Sequence, residues 1–387
     1  MTKQASRHIK SSRTKSKSKR PYNKKTNLKT LKRNSKNTTK KHTKTKNIKL
    51  IKGGFLSKKC DPKDRQFFIT NSRNESKCAP IFQNNSSPIL SVNNLNKLED
   101  TSCFDEENIN RMVRAYNNNH PNDVINTKNS KTKLYQLLKE KMTHYCTDNN
   151  ELCWAKQKFI KDEFGNELLE FNFKPIIPDT WYCNKREWLN TLDIDNVLHQ
   201  YQQKYPEFIS MGPTPIDFDY KIGGSRCVTD ELCKINLKHL INQNKKYIGV
   251  VFNLDTHKES GSHWIAMFCN LPKKEICYWD SYGYQPPKEV KALMSRLKKQ
   301  GDNLGTLYNN RIYQNNSNLK KFLLNKKNRF VIKINKKRHQ FKNSECGVYC
   351  INFIISLLEG ETFENVTKNV IKDDDMNKLR SKFFLPM

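Results

Sequence analysis

A chain of 387 residues has room for a catalytic domain with a substantial extension, and 35% hydrophobic against 28% charged residues allows a real core while leaving part of the chain unstructured. The formal charge of +33 is uneven: residues 1–52 hold 20 Lys and Arg and no Asp or Glu, which leaves +13 for the other 335. The N-terminal tail has no sustained apolar stretch of the kind a signal peptide needs and nothing in the chain approaches a membrane-spanning length, so the sequence predicts a soluble, intracellular protein outside the usual export route.

From the N-terminus, the basic tail (for example Lys15-Ser16-Lys17-Ser18-Lys19-Arg20) has too few apolar residues to offset the entropy of ordering, which predicts disorder over residues 1–52. Such a tail neutralises phosphate charge without reading sequence. That suits nonspecific nucleic-acid contact, a polyanionic assembly or nuclear import, and a purely solubilising tail accounts for the same composition. Gly53-Gly54-Phe55 follows, either a self-cleavage site or glycines at a linker, and an Asn- and Ser-rich stretch predicts linker or irregular structure over residues 53–100.

Ile109, Met112, Val113 and Tyr116 recur at helical spacing, as do Leu134, Leu137, Leu138, Met142 and Tyr145, predicting a helical N-terminal extension over residues 101–180. A further amphipathic helix, with Ile194, Val197, Leu198, Tyr201 and Tyr205, lies early in a second domain over residues 181–387. Short strands then follow at Tyr247–Asn253, His263–Cys269, Glu275–Asp280 and Arg329–Ile334, with a polar helix near Pro287–Lys299 between the last two. Cys346 opens an apolar run to Leu358 that covers nearly every helical face, which predicts a central buried helix. Strands grouped between helices predict an α+β domain with a mainly antiparallel sheet. The twelve cysteines include no C-x-x-C pair, and Cys227/Cys233 and Cys146/Cys153 are too widely spaced for a zinc knuckle. Without an export signal, the sequence predicts reduced thiols, no metal and no cofactor.

The chemistry concentrates in three places. A hairpin centred on Leu271-Pro272 sets His263 directly opposite Asp280, with Cβ atoms about 5 Å apart, where a carboxylate can orient an imidazole and stabilise its protonated form. Alone, His263 reads as a strand-end histidine and Asp280 as a turn initiator. Cys346 changes that reading: it stands where the polar loop Lys342-Asn343-Ser344-Glu345 becomes a helix, so its sulfur meets unpaired N–H groups that favour a thiolate and can hold an oxyanion. Cys350, one turn on, is expected to be an inert core thiol, and Gln340 offers a second oxyanion donor from its side-chain amide.

G-S-H-W (Gly261 to Trp264), Y-W-D-S (Tyr278 to Ser281) and Q-F-K-N-S-E-C-G-V-Y-C (Gln340 to Cys350) together resemble the ubiquitin-like-protein (SUMO) proteases and the adenovirus protease, in the order His, Asp, Gln, Cys. The resemblance runs over roughly residues 186–384, including Asp375-Met376-Asn377-Lys378-Leu379-Arg380, which looks like that family's closing helix. It implies a papain-like-clan cysteine protease core, with Cys346 as nucleophile, His263 as general base and then acid, Asp280 as its orienter and Gln340 in the oxyanion hole. It also implies that Trp264 and Trp188, in W-L-N, cover a narrow tunnel admitting a Gly-Gly tail; Thr191 stands where the family has Asp, which weakens the case for docking of a folded SUMO-like tag.

Cys78-Ala79-Pro80, Ser102-Cys103-Phe104, Cys153-Trp154, Met211-Gly212-Pro213 and Pro215-Ile216-Asp217-Phe218 look like the protease branch of large DNA viruses of the African swine fever virus and giant-virus type. That implies a viral structural precursor cut after Gly-Gly by an enzyme packaged in the virion or working in the host cytoplasm, or the nucleus if the tail is an import signal. A deSUMOylating or deubiquitinating isopeptidase shares every catalytic residue. An acetyltransferase effector needs an acyl-CoA site that the sequence does not signal, and a nucleic-acid-binding protein with a dead protease fold is at odds with four intact catalytic residues.

Overall fold

The computed structural model describes residues 67, 70, 75–83, 102–147, 150–306 and 329–386. The basic tail, Gly53-Gly54-Phe55 and most of the 53–100 segment lie outside them. The N-terminal part is helical: α1 (Glu106–Asn119), α2 (Lys131–Met142) and three short helices, α3 (Glu151–Ala155), α4 (Lys158–Phe164) and α5 (Glu167–Phe171). α1 starts at a capping box, in which Asp105 accepts from the Asn108 N–H and the Asn108 side chain returns the bond. Ile109, Met112, Val113 and Tyr116 are buried with Leu134, Leu138, Trp154 and Ile160, whereas Tyr145 stays exposed.

The expectation of reduced thiols throughout is corrected here. Cys78 is bonded to Cys103, Cys146 to Cys153 and Cys227 to Cys233, and Cys183 is disulfide-bonded as well. The pairing depends on which segments meet, not on spacing. Cys78 bridges to Phe173 while the Glu151 carboxylate accepts from the Cys103 N–H and the Ser102 hydroxyl, and this brings the Cα atoms of Cys78 and Cys103 to 5.0 Å. Cys269, Cys277, Cys346 and Cys350 are free and buried.

After α6 (Thr191–Lys204) come five strands in one sheet, whose spatial order is their order in the chain: β1 (Phe208–Pro215), β2 (Tyr247–Asn253), β3 (Trp264–Asn270), β4 (Glu275–Trp279) and β5 (Val331–Ile334). The central β2–β3–β4 pairs are antiparallel and the outer β1–β2 and β4–β5 pairs parallel. Parallel neighbours need crossovers; the first carries α7 (Asp230–Cys233) and α8 (Leu237–Asn242), the second α9 (Lys288–Thr306). Alternation along β2 sends Ile248, Val250 and Phe252 to the side of Leu293 and Leu297 of α9, and Val251 to the side of α10 (Cys346–Leu358). Within α10 every residue except Asn352 and Ser356 is buried, so the helix is enclosed on nearly all sides.

The β3–β4 register differs from the expected one by two residues. Ala266 pairs with Trp279 and Asn270 with Glu275, so the turn is centred between Pro272 and Lys273, and Lys274 adopts a left-handed φ of 54° to close it. A shift of two keeps every side chain on its face. His263 and Asp280, just beyond the strand ends, become diagonal rather than direct neighbours and remain within side-chain reach.

α11 (Phe363–Lys368), α12 (Asp373–Lys378) and α13 (Arg380–Phe383) follow. The last residues tie back to the segment ahead of α6, through Leu385 N–H to Pro175 O (2.9 Å), Ile177 N–H to Leu385 O (3.0 Å) and Lys174 Nζ to Ser381 O (3.1 Å). Among the described residues no helix is long and apolar enough to cross a membrane.

Candidate active site

β3 begins one residue after His263, and β4 ends one residue before Asp280. The preceding Gly261, with φ of 98°, closes against Asn253: a Cβ there would stand 2.7 Å from the Asn253 amide, whose Oδ1 accepts the Ser262 N–H. His263 Nε2 lies 3.0 Å from Asp280 Oδ1. That carboxylate oxygen also accepts the Tyr282 N–H, while Asn335 donates to the Asp280 carbonyl, so the acid is fixed from two sides. The bond through Nε2 leaves Nδ1 free of Asp280, and Cys346 is the ring's other electrostatic neighbour. Burial pushes the imidazole down, but the hydrogen bonds to Asp280 and Cys346 and the negative charge of both outweigh it and raise its pKa to about 9.

Cys346 is the first residue of α10. Gly347 lets that helix end approach Leu189 closely, since a Cβ on it would come 2.9 Å from the Leu189 Cβ. Burial, with the charges of Cys346 and Asp280 behind it, pushes the Cys350 thiol well up and leaves it an inert core group. Trp264 is buried and its Nε1–H donates to the Leu189 carbonyl at 2.9 Å, which ties it to the residue following Trp188; Trp188 itself is 43% exposed.

Gln340 is wholly buried. Its Oε1 accepts from Ser281 Oγ at 2.6 Å, and its Nε2 has no hydrogen-bond partner, a buried donor left unsatisfied. The structure therefore brings His263, Asp280 and Cys346 together and sets beside Asp280–Ser281 an amide with an unused N–H₂.

Several participants carried no sequence signal of their own. Ser281 was visible only as the residue after Asp280. Asp373, in an acidic run ahead of the closing helix, accepts the Phe341 and Lys342 N–H groups at 2.9 and 3.0 Å. Glu345, wholly buried beside Cys346, pairs with Arg186, which pairs in turn with Asp374. His339, a second buried histidine, faces the Thr367 carbonyl and is pushed down by burial.

One cluster of metal-ligating types occurs among the described residues: Cys78, Cys103 and Glu151, with ligand atoms within 4.8 Å of one another. Its two sulfurs are bonded to each other, which leaves a single carboxylate as donor. A cavity of about 590 Å³ lined by Ile209, Met211, Lys234 and Leu240 contains none of the site residues.

Residues 230–387 match the family described as the Ulp1 protease family, C-terminal catalytic domain. Over 303 residues the chain is 29% identical to a thiol protease of Acanthamoeba polyphaga mimivirus, covering 74% of this chain and 90% of that protein. Over 277 residues it is 27% identical to a SUMO-1 cysteine protease of African swine fever virus, covering 68% and 91%. The crystal structure of the African swine fever virus protease shares the fold, with a TM-score of 0.50 at 20% identity over 81% of this chain and 96% of that one. The expected α+β cysteine-protease architecture, antiparallel at its centre and flanked by helices, is the observed one.

Proposed function

We propose, from the match of residues 230–387 to the Ulp1 protease catalytic domain, that the protein is a cysteine endopeptidase cleaving protein precursors after Gly-Gly. In this reading Cys346 is the nucleophile, His263 the general base and then acid, Asp280 its orienter and Gln340 the oxyanion donor. The observation that carries it is a buried imidazole hydrogen-bonded to a carboxylate and raised in pKa by that carboxylate and by Cys346, near a buried amide whose N–H₂ is unpaired.

The Cys346 proton passes to His263, and the thiolate adds to the scissile carbonyl. Charge accumulates on the carbonyl oxygen, and in this reading the Gln340 N–H₂ and the N–H groups at the start of α10 receive it. The C–N bond breaks as the imidazolium gives its proton to the departing amine, leaving a thioester on Cys346. Water, deprotonated by His263, then releases the acid and restores the thiol.

Trp188 and Trp264 form the substrate passage in this reading, admitting residues without side chains. The viral origin of the relatives supports structural-precursor maturation in a virion or host cytoplasm, and residues 1–52 supply nonspecific nucleic-acid contact or nuclear import. The description of the African swine fever virus relative as a SUMO-1 cysteine protease favours one second reading, removal of a ubiquitin-like tag.

A peptide library tested with the protein and with Cys346→Ala separates these outcomes. Cleavage confined to Gly-Gly-X and abolished by the substitution is expected, while turnover surviving in Cys346→Ala overturns the assignment. Preference for folded ubiquitin-like substrates over Gly-Gly-X peptides favours the second reading.

A further inference from the structure

Gln340 is held at every polar atom but one. Its N–H donates to the Ser281 carbonyl (2.9 Å), its carbonyl accepts from Arg338 Nε (2.8 Å) and its Oε1 accepts from Ser281 Oγ (2.6 Å), while Nε2 is buried without a partner. Ser281 is wholly buried and adjoins Asp280, so one dipeptide touches both the His263 ring and the Gln340 amide. On the far side of Gln340 the nearly buried Asp373 takes two successive N–H groups, those of Phe341 and Lys342, on a single carboxylate oxygen. Before Gln340, the His339 N–H donates to the same Ser281 carbonyl (2.8 Å) and so fixes the near side. The loop around Gln340 is thus pinned before, at and after that residue. The one donor left over lies on the amide.

We propose that Ser281 and Asp373 are positioning residues for the oxyanion donor: Ser281 occupies the amide oxygen of Gln340 so that its N–H₂ is presented to the substrate, and Asp373 locks the following backbone so that the amide keeps its place. This rests on the reading of Cys346 and Gln340 given above. A loop that had only to be stable would leave no buried amide donor unsatisfied, since such a group costs free energy until something binds it. Neither residue touches substrate; each acts through Gln340, so its contribution vanishes when the Gln340 amide is gone.

The test is a double-mutant cycle on the best peptide from the library, with kcat and KM measured for the protein, Ser281→Ala, Asp373→Ala, Asp373→Asn, Gln340→Ala and the pairs Ser281→Ala/Gln340→Ala and Asp373→Ala/Gln340→Ala. Gln340→Ala is expected to lower kcat about 100-fold, the usual cost of one oxyanion donor. Ser281→Ala and Asp373→Ala are expected to lower kcat about 10-fold with KM little changed, and to add less than about 2-fold on the Gln340→Ala background. Asp373→Asn, whose amide oxygen still accepts two N–H groups, is expected within about 3-fold of the parent.

The rate of Cys346 alkylation by iodoacetamide is expected to be unchanged in all of these, because Gln340 acts after the thiolate has attacked. Full additivity with Gln340→Ala, or a parallel loss of alkylation, overturns the proposal. If Gln340→Ala leaves kcat intact, the oxyanion reading falls and the proposal with it, whereas loss of activity in Cys346→Ala stands independently. Should Asp373→Ala fail to fold by circular dichroism, the small Ser281→Ala change decides the matter alone.

Discussion

His263 is hydrogen-bonded to Asp280 and, when protonated, carries a charge, and its protonation sets the pH range over which the proposed chemistry can work. A folded-state pKa of about 9 against an ordinary 6.5 means that the stability carried by this imidazolium is complete below about pH 6.5 and is lost as the pH rises through about 9. Above that limit the ring has no proton for the departing amine, so the activity profile is expected to fall on its alkaline side near pH 9. In Asp280→Asn the amide still accepts the Nε2 hydrogen bond but contributes no charge. The alkaline limb should then move to lower pH by about one pH unit, with kcat reduced. A pH profile of kcat in which the limb stays in place would show that the Asp280 charge does not hold the proton. At this scale the sequence was readable for residues that stand in motifs of distinctive order and interval, His263, Asp280, Gln340 and Cys346, whose proposed roles reside in their own side chains. Ser281 and Asp373 were not, because they act by bonding an amide oxygen and two backbone N–H groups that only the folded loop brings to them.

At the scale of elements, the buried run from Val348 to Leu358 announced a central helix, and alternating strands announced a sheet. Local backbone geometry carried no such signal. The β3–β4 turn uses a left-handed Lys274, a conformation no residue type in Leu271-Pro272-Lys273-Lys274 signals, so the register was off by an even step that spared the site. β1 contains Gly212, Pro213 and Pro215, residues that argue against a strand; it is tolerated as an edge strand whose register breaks between Ser210 and Pro213. The nucleophile helix tests the same point from the packing side. Gly347→Ala gains at most about 1 kcal/mol of helix propensity, and the added methyl meets Leu189, whose Cβ and side chain already lie 2.9–3.2 Å away. A Cβ cannot swing aside, so overpacking of about 1–3 kcal/mol is expected to win. Urea unfolding should show a lower midpoint, and kcat/KM should fall because Leu189 also anchors Trp264. A variant with unchanged midpoint and activity would mean that the helix end is free to shift.

At the scale of the whole molecule, the helical extension and the peptidase domain share structure, and the cysteines show how. The Cys78–Cys103 bond joins segments 25 residues apart within the same buried cluster that holds Phe173 and, from the far end of the chain, Leu385. Leu385 exchanges hydrogen bonds with Pro175 and Ile177, and Arg380 of the closing helix donates to the Glu187 carbonyl, next to Trp188. Loosening the extension therefore reaches the neighbourhood of Trp188 through the C-terminal segment. Composition concealed this, since an expectation about compartment says nothing of which cysteines meet, whereas bonding depends on proximity in the fold. Closing a loop of that length is worth about 3 kcal/mol through the unfolded state. Cys78→Ser/Cys103→Ser is thus expected to unfold at lower urea concentration by about that free energy, with the Cys346 alkylation rate in native buffer preserved because His263 and Asp280 are untouched. A tryptic map of unreduced protein should recover the Cys78 and Cys103 peptides joined and Cys346 free. Recovery of Cys78 alkylated in the unreduced protein would show that the extension is held by apolar packing alone.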